Sequence, residues 1–174
     1  ATFAAAFNGS PTYIRLAREK TPVFTTKEAS FKIGKAEVFQ RGNDVTIIAC
    51  GPLLYEVLVA VEILKKEGIS VEIINNHTIK PMDTKTILTS VKKTKAVVTV
   101  EEHQIMGGMG GAVAEVLGQN FPVPIEMIGV HDSFGQSGNP DELLNHFQLT
   151  HPFIIKAVKK VILRRDGGQV KRKK

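Results

Sequence analysis

Over residues 43–163 the sequence predicts an α/β fold, a three-layer α/β/α arrangement around a mainly parallel sheet. Three observations carry this. Four short apolar runs rich in β-branched residues recur along that span, stretches with apolar residues at helical spacing lie between them, and Gly, Pro or Asn breaks separate the two kinds. Strand alternating with helix is the pattern of parallel strands joined by crossovers, whose helices then cover both faces of the sheet.

The first run, Asp44–Cys50 (DVTIIAC), lies between Gly42-Asn43 and Gly51-Pro52, as a buried strand would. Pro52 suits the opening turn of a helix in which Leu53, Leu54, Val57, Leu58, Val61 and Leu64 form one apolar stripe. Glu56, Glu62, Lys65 and Lys66 fall off that stripe, and Gly68 closes the helix. Ile69–Asn75 is the second strand. Asp83 is placed to cap a shorter helix reaching Val91, and Ala96–Glu102 is the third strand. A glycine-rich turn follows, then a helix over Gly111–Gln119, which Pro122 and Pro124 end. Pro124–Val130 is the fourth strand. Two helical pieces close the domain, Asp141–Phe147 and Pro152–Leu163, the latter with Ile154, Ile155, Val158, Val161 and Ile162 at helical spacing.

The chain ahead of Gly42 lacks this rhythm. Thr12–Arg18 alternates like a strand, with Tyr13, Arg15 and Ala17 on one face and Ile14, Leu16 and Arg18 on the other, yet little around it could bury either face. Residues 1–20 therefore read as the tail of a preceding domain, and 21–42 as a linker with a short extended piece near Ala36–Phe39. Residues 164–174 read as a basic, disordered extension. They hold six basic residues against Asp166, which accounts for most of the formal charge of +6; the rest of the chain has 17 basic against 16 acidic residues. No aromatic is interleaved with those tail charges, so a stacking platform for nucleic acid is not supported. The single cysteine, Cys50, excludes an intrachain disulfide and a cysteine-based zinc site, and reads as a small core hydrophobe. No run approaches the ~20 apolar residues of a membrane span. The expectation is a soluble, cytoplasmic protein with neither nucleic acid nor membrane as partner.

The chemistry-bearing residues form no complete catalytic constellation. Four glycines fall within the five positions 107–111, between a strand and a helix. A dinucleotide fingerprint would need Gly or Ala where Val113 stands, and the glycines begin about five residues beyond the strand; no Gly-Lys-Ser/Thr follows. Those glycines read more simply as a turn needing positive φ or close backbone packing, with an anion-binding module as the competing reading. Glu101 and Glu102 point to opposite faces of their strand, so they form no acid–base pair, and one of them points inward or to a partner. His77, His103, His131, His146 and His151 lack metal-ligand spacing; His103 and His131 stand out because both follow strand ends, where sites in open sheets collect. Asp132-Ser133 beside His131 has no nucleophile elbow to complete a triad.

In order along the chain, PTYIRLAR, GNDVTIIACG, KEGISVEIINNHTIKPMD, VVTVEEHQIMGGMGGAVAE and GVHDSFGQSGNPDELL resemble the C-terminal part of transketolase. Deoxyxylulose-phosphate synthase and the beta subunits of 2-oxoacid dehydrogenases share this layout; FGQSG at Phe134–Gly138 is more like transketolase. The resemblance implies that residues 1–20 end a pyrimidine-binding domain and that 43–163 are the transketolase C-terminal domain, serving mainly packing and dimerisation. It implies an enzyme that moves a two-carbon ketol unit between sugar phosphates with thiamine diphosphate and Mg2+. The groups that bind that cofactor would lie in diphosphate-binding and pyrimidine-binding parts missing here, in the same chain or a separate subunit, within a homodimer or heterotetramer. This chain alone would then bind no cofactor and be silent. One functional residue carries over: Arg18 matches the arginine with which transketolases hold the sugar phosphate, a task suited to a guanidinium fork. Arg15, on the opposite face, is the weaker candidate.

Overall fold

The computed structural model describes residues 1–26, 28–29 and 31–167. In chain order the elements are α1 (Thr2–Ala6), β1 (Glu37–Gln40), β2 (Val45–Ala49), a 3₁₀ turn at Gly51–Leu53, α2 (Leu54–Lys66), β3 (Val71–Asn75), α3 (Thr84–Thr94), β4 (Val97–Gln104), α4 (Met109–Asn120), β5 (Ile125–Val130), α5 (Pro140–His146) and α6 (His151–Arg165). The strands form one five-stranded sheet in the order β1-β3-β2-β4-β5. Strands β3, β2, β4 and β5 run parallel, and β1 pairs antiparallel with β3. The α/β expectation therefore holds, with all four expected strands present.

Period-2 alternation divides the core. Val45, Ile47, Ala49, Ile73, Val98 and Val100 face α2 and α6, where they meet Leu54, Val57, Val61, Ile154 and Val158. Ile48, Ile74 and Val97 face α3 and α4, against Ile87, Val91, Met109 and Val113. Each of the Val, Leu, Ile and Met side chains, fully buried, stabilises the fold by ~1.5–3 kcal/mol, so two-sided burial of short Val/Ile runs is what selects a central parallel sheet.

Polar groups inside this frame are tied down. The Asp83 carboxylate caps α3 by accepting the Thr86 N–H at 3.2 Å and the Thr86 hydroxyl at 2.9 Å, and it also takes the Ala36 N–H at 3.2 Å. Buried Glu72 accepts the Gly42 N–H at 3.2 Å and pairs with the Lys93 ammonium. Asp83 thus anchors the approach to β1, and Glu72 the passage from β1 to β2.

Two expectations of local structure are corrected and one is met. Thr12–Arg18 forms no strand: no described residue pairs with its backbone, its side chains are exposed, and a lone strand leaves its donors and acceptors to water. The short extended piece expected near Ala36–Phe39 is present as β1, and by pairing with the free edge of β3 it makes that part of the 21–42 stretch a sheet strand. The basic extension does not begin at Arg164. α6 runs through Arg165, where Arg164 pairs with Glu126 at 2.6 Å and Arg165 donates to the Asp44 carbonyl at 2.5 Å. The remainder of that extension, residues 168–174, lies outside the described residues.

Candidate functional site at the carboxyl ends of the strands

The sheet reverses its strand order beside β2, with β3 on one side and β4 on the other, and crevices in such sheets open at the carboxyl ends of the strands. One step past the paired registers Ala49↔Asn75 and Ala49↔Val100, the residues Asn76, Cys50 and Glu101 stand side by side on the α3/α4 face. β4 then bulges. Val100 pairs with Ile128 but Gln104 with Val130, so four residues of β4 span two of β5. Such a bulge re-aims side chains. Here it sends Glu101 beneath the start of α4 while Glu102 stays exposed, in line with the opposite faces expected.

Glu101 is 2% exposed, and its carboxylate accepts the N–H groups of Met109 at 2.6 Å and Gly110 at 2.7 Å. These are the unpaired donors of the first turn of α4, the groups a bound phosphate would use. The glycines follow from the closeness of that contact. A Cβ on Gly108 would lie 2.2 Å from the Gln104 carbonyl oxygen and 2.4 Å from the Glu101 carboxylate, and one on Gly110 would lie 2.7 Å from the Thr99 hydroxyl. The turn is therefore moulded around the chain's own carboxylate. Its residues do not fit a cofactor diphosphate, which would meet that negative charge where it needs donors. Among the described residues no group of three or more His, Cys, Asp or Glu could hold a metal ion.

The neighbours of Glu101 are polar but quiet. Burial pushes the Cys50 thiol up to about 12, with the Glu101 charge adding to the rise and Arg15 opposing it, so the thiol stays protonated. The Asn76 carboxamide is buried and meets no partner among the described residues, as does the Thr99 hydroxyl. His77 stacks on Phe31 with ring centroids 4.3 Å apart, and burial lowers its pKa.

His103 and His131 do reach the strand ends, both exposed; His103 Nδ1 lies 3.0 Å from the Gln104 carbonyl oxygen. What joins their loops is Gln104, which the sequence reading passed over. It accepts the Asp132 N–H at 2.9 Å and donates to the Ser133 carbonyl at 3.1 Å, clamping the loop that follows β5. Phe134, next along, is 99% exposed. Exposed Arg18 makes none of these contacts, its guanidinium 3.8 Å from the Glu19 carboxylate.

Comparison with known proteins follows the same outline. The family model for the transketolase C-terminal domain matches residues 34–154. A 6-deoxy-6-sulfo-D-fructose transketolase subunit of a Clostridium species is 43% identical over 156 residues, covering 90% of this chain and 48% of that protein. A putative transketolase C-terminal section of Methanocaldococcus jannaschii is 46% identical over 152 residues, covering 85% of this chain and 47% of its own length. Among solved structures, a split-gene transketolase described as an inactive β4 tetramer superposes with a TM-score of 0.82 at 37% identity, covering 85% of this chain and 48% of that one. The chain thus spans about half the length of these relatives.

Proposed function

Because the chain belongs to the transketolase family through its C-terminal domain, we propose that it is the packing and assembly portion of an enzyme transferring two-carbon ketol units between sugar phosphates. The reading is carried by the match over residues 34–154 to relatives twice as long, among them transketolase subunits. Thiamine diphosphate and Mg2+ are assigned to the diphosphate-binding and pyrimidine-binding parts that complete the enzyme, in the cytoplasm. The filling of the α4 N-terminus by Glu101 supports this division, since the donors of the 107–111 glycine turn are taken by an internal carboxylate. No step of the ketol chemistry falls to a residue of this chain. Arg18 is assigned to the substrate phosphate; it is exposed, and its long surface contact with the Glu19 carboxylate, at 3.8 Å, is weak enough for a phosphate in a pocket completed elsewhere to replace. The chain alone is expected to associate with itself and to be inactive, the condition named for the split-gene structure.

Co-expression with a diphosphate-binding transketolase subunit tests this. Ketol transfer from a ketose phosphate to an aldose phosphate, dependent on added thiamine diphosphate and Mg2+, is expected only when both parts are present. Transfer by this chain alone, or none from the assembled pair, would overturn it.

A further inference from the structure

Helices that return the chain between parallel strands end where the next strand begins, so the C-termini of α2 and α3 lie at the amino ends of the strands, away from the Glu101 turn. β1, antiparallel to β3, ends there too, with Arg41 next in the chain. α6 is tied to the same end: Lys159 reaches Glu67, just past α2, at 2.6 Å, Lys160 and Arg164 reach Glu126 near the start of β5 at 2.8 and 2.6 Å, and Arg165 donates to the Asp44 and Thr94 carbonyls. Lys93 pairs with Glu72 at the start of β3, and Arg165 with Asp166. With Lys65, Lys66, Lys92 and Lys95, this end gathers ten basic residues against five acidic ones, and leaves eight basic against twelve acidic among the other described residues. A body that is near neutral by composition is thus polarised by its fold, which composition alone could not show. Arg41, Lys65, Lys66, Lys92 and Lys95 are exposed and have no ion-pair partner among the described residues. Lys65, Lys66 and Lys92 also meet the negative ends of α2 and α3. That role does not extend to Arg41, which follows a strand, and Lys95 stands at φ 56, a left-handed position usually given to Gly or Asn.

We infer that this end of the domain is a binding surface for the phosphate backbone of double-helical nucleic acid, with these five cations as its contacts. α2 and α3 cover opposite faces of the sheet, so the free cations span on the order of 20 Å, about two helix diameters. Over that length of axis a duplex presents roughly a dozen phosphates, a stiff array that needs no ordering before it meets a fixed set of cations. An acidic peptide would first have to be ordered. Single strands are held by stacking on aromatic rings as well as by charge, and surface-bound membrane proteins by apolar side chains beside their cations. The exposed aromatics stand elsewhere: Tyr55 opens α2 and Phe134 follows β5, while Phe3, Phe7 and Tyr13 belong to the segment whose Glu19 and Lys20 share a hollow with Asn139–Glu142 beyond β5. Contacts of this kind fix a protein on a duplex without reading its sequence. Past Gly167 the sequence adds Lys171, Arg172, Lys173 and Lys174, which carry further charge of the same sign. The surface is separate from the carboxyl ends of the strands and independent of the ketol-transfer reading.

The test is fluorescence anisotropy of labelled DNA and RNA duplexes of about 20 base pairs, titrated with the full chain at several salt concentrations; the two duplexes separate the sources of the backbone. Binding is expected to weaken linearly in log K against log salt. The double variants Lys65→Gln/Lys66→Gln and Lys92→Gln/Lys95→Gln are each expected to bind about tenfold more weakly or worse and to reduce the salt slope by about two, at ~0.9 per phosphate contact. Lys32→Gln/Lys85→Gln, the same change of charge at exposed positions away from this end, is expected to bind like the wild type. All six positions are exposed, so circular dichroism is expected to report an unchanged fold. No binding to either duplex at ~50 mM salt, or equal losses in all three variants, would overturn the inference. So would a loss confined to a variant with Lys171, Arg172, Lys173 and Lys174 all changed to Gln, which would move the contact to that stretch. Equally tight binding to a single strand, to poly-glutamate or to phosphatidylserine vesicles would give the surface a different occupant and overturn it as well. None of these outcomes bears on ketol transfer, which has its own assay.

Discussion

The Glu101 carboxylate lies 2.6 Å from the Met109 backbone nitrogen and caps α4 from eight residues upstream, across the glycine turn. Its partner strand makes room for this: a Cβ at Gly129 would sit 2.9 Å from the His103 carbonyl oxygen and 3.4 Å from Glu101 Cγ. One buried acidic side chain thus joins the end of β4, the turn and the first turn of α4.

Replacing Glu101 by Gln keeps the shape but removes the charge facing the helix N-terminus and turns an amide donor toward N–H groups. Chemical denaturation is expected to register a loss of about 1–3 kcal/mol. The same exchange at exposed Glu102 is expected to stay within ~0.5 kcal/mol.

Glycine-to-alanine exchanges separate packing from propensity. Gly108→Ala forces a methyl into the Gln104 carbonyl and the Glu101 carboxylate, and is expected to destabilise by about 1–3 kcal/mol or more. Gly118, inside α4 with open space around it, is the counter-case: Gly118→Ala is expected to stabilise by about 0.5–1 kcal/mol. Equal effects at the two positions in thermal melts would sink this account of the turn.

Acid sensitivity is expected from Asp83 and Glu72. Burial pushes the Asp83 pKa up, but hydrogen bonds from the Thr86 hydroxyl and from the Thr86 and Ala36 N–H groups outweigh it. At Glu72 burial is likewise outweighed, by Lys93, Ser90 and the Gly42 N–H. Both carboxyls are therefore held below their ordinary values of 3.8 and 4.5. A carboxyl whose pKa is lower when folded stabilises the fold above the unfolded value and loses that contribution as pH falls through the folded one. Unfolding free energy is expected to decline as pH drops below about 4.5, and Asp83→Asn to flatten the decline while costing ~1 kcal/mol at neutral pH as the α3 cap weakens.

Arg18→Ala in the assembled enzyme is expected to raise KM for phosphorylated sugars by tenfold or more, the loss of a charge-assisted contact of ~1.5–3 kcal/mol, and to leave unphosphorylated sugars nearly unchanged. Equal changes for both would remove the phosphate role.

The elements legible beforehand were those whose pattern is local. DVTIIAC and AVVTVEE declared themselves by β-branched runs buried on both faces, and Asp83 by its place ahead of a helical period. β1 was visible only as an extended piece, because its register is set by the free edge of β3 rather than by its own residues. Thr12–Arg18 alternates correctly and still forms no strand, since alternation supplies two faces but no hydrogen-bonding neighbour. The helix expected from Gly111 begins at Met109, for the capping carboxylate that sets its start lies in the preceding strand.

By itself the sequence determined the alternation of strand and helix, the class of sheet that follows, and the ordered motifs that place the chain in its family; these depend on periodicity and breakers, which are properties of neighbouring residues. Only the tertiary structure decided what the glycine turn holds. Parity put Glu101 and Glu102 on opposite faces, but whether the inward carboxylate met a ligand, a metal or the chain itself depended on a bulge in β4 and the approach of β5. Both are set by packing between segments distant along the chain. The same holds for Phe134: nothing in FGQSG distinguishes a buried ring from an exposed one until Gln104, thirty residues earlier in the chain, fixes the loop that carries it.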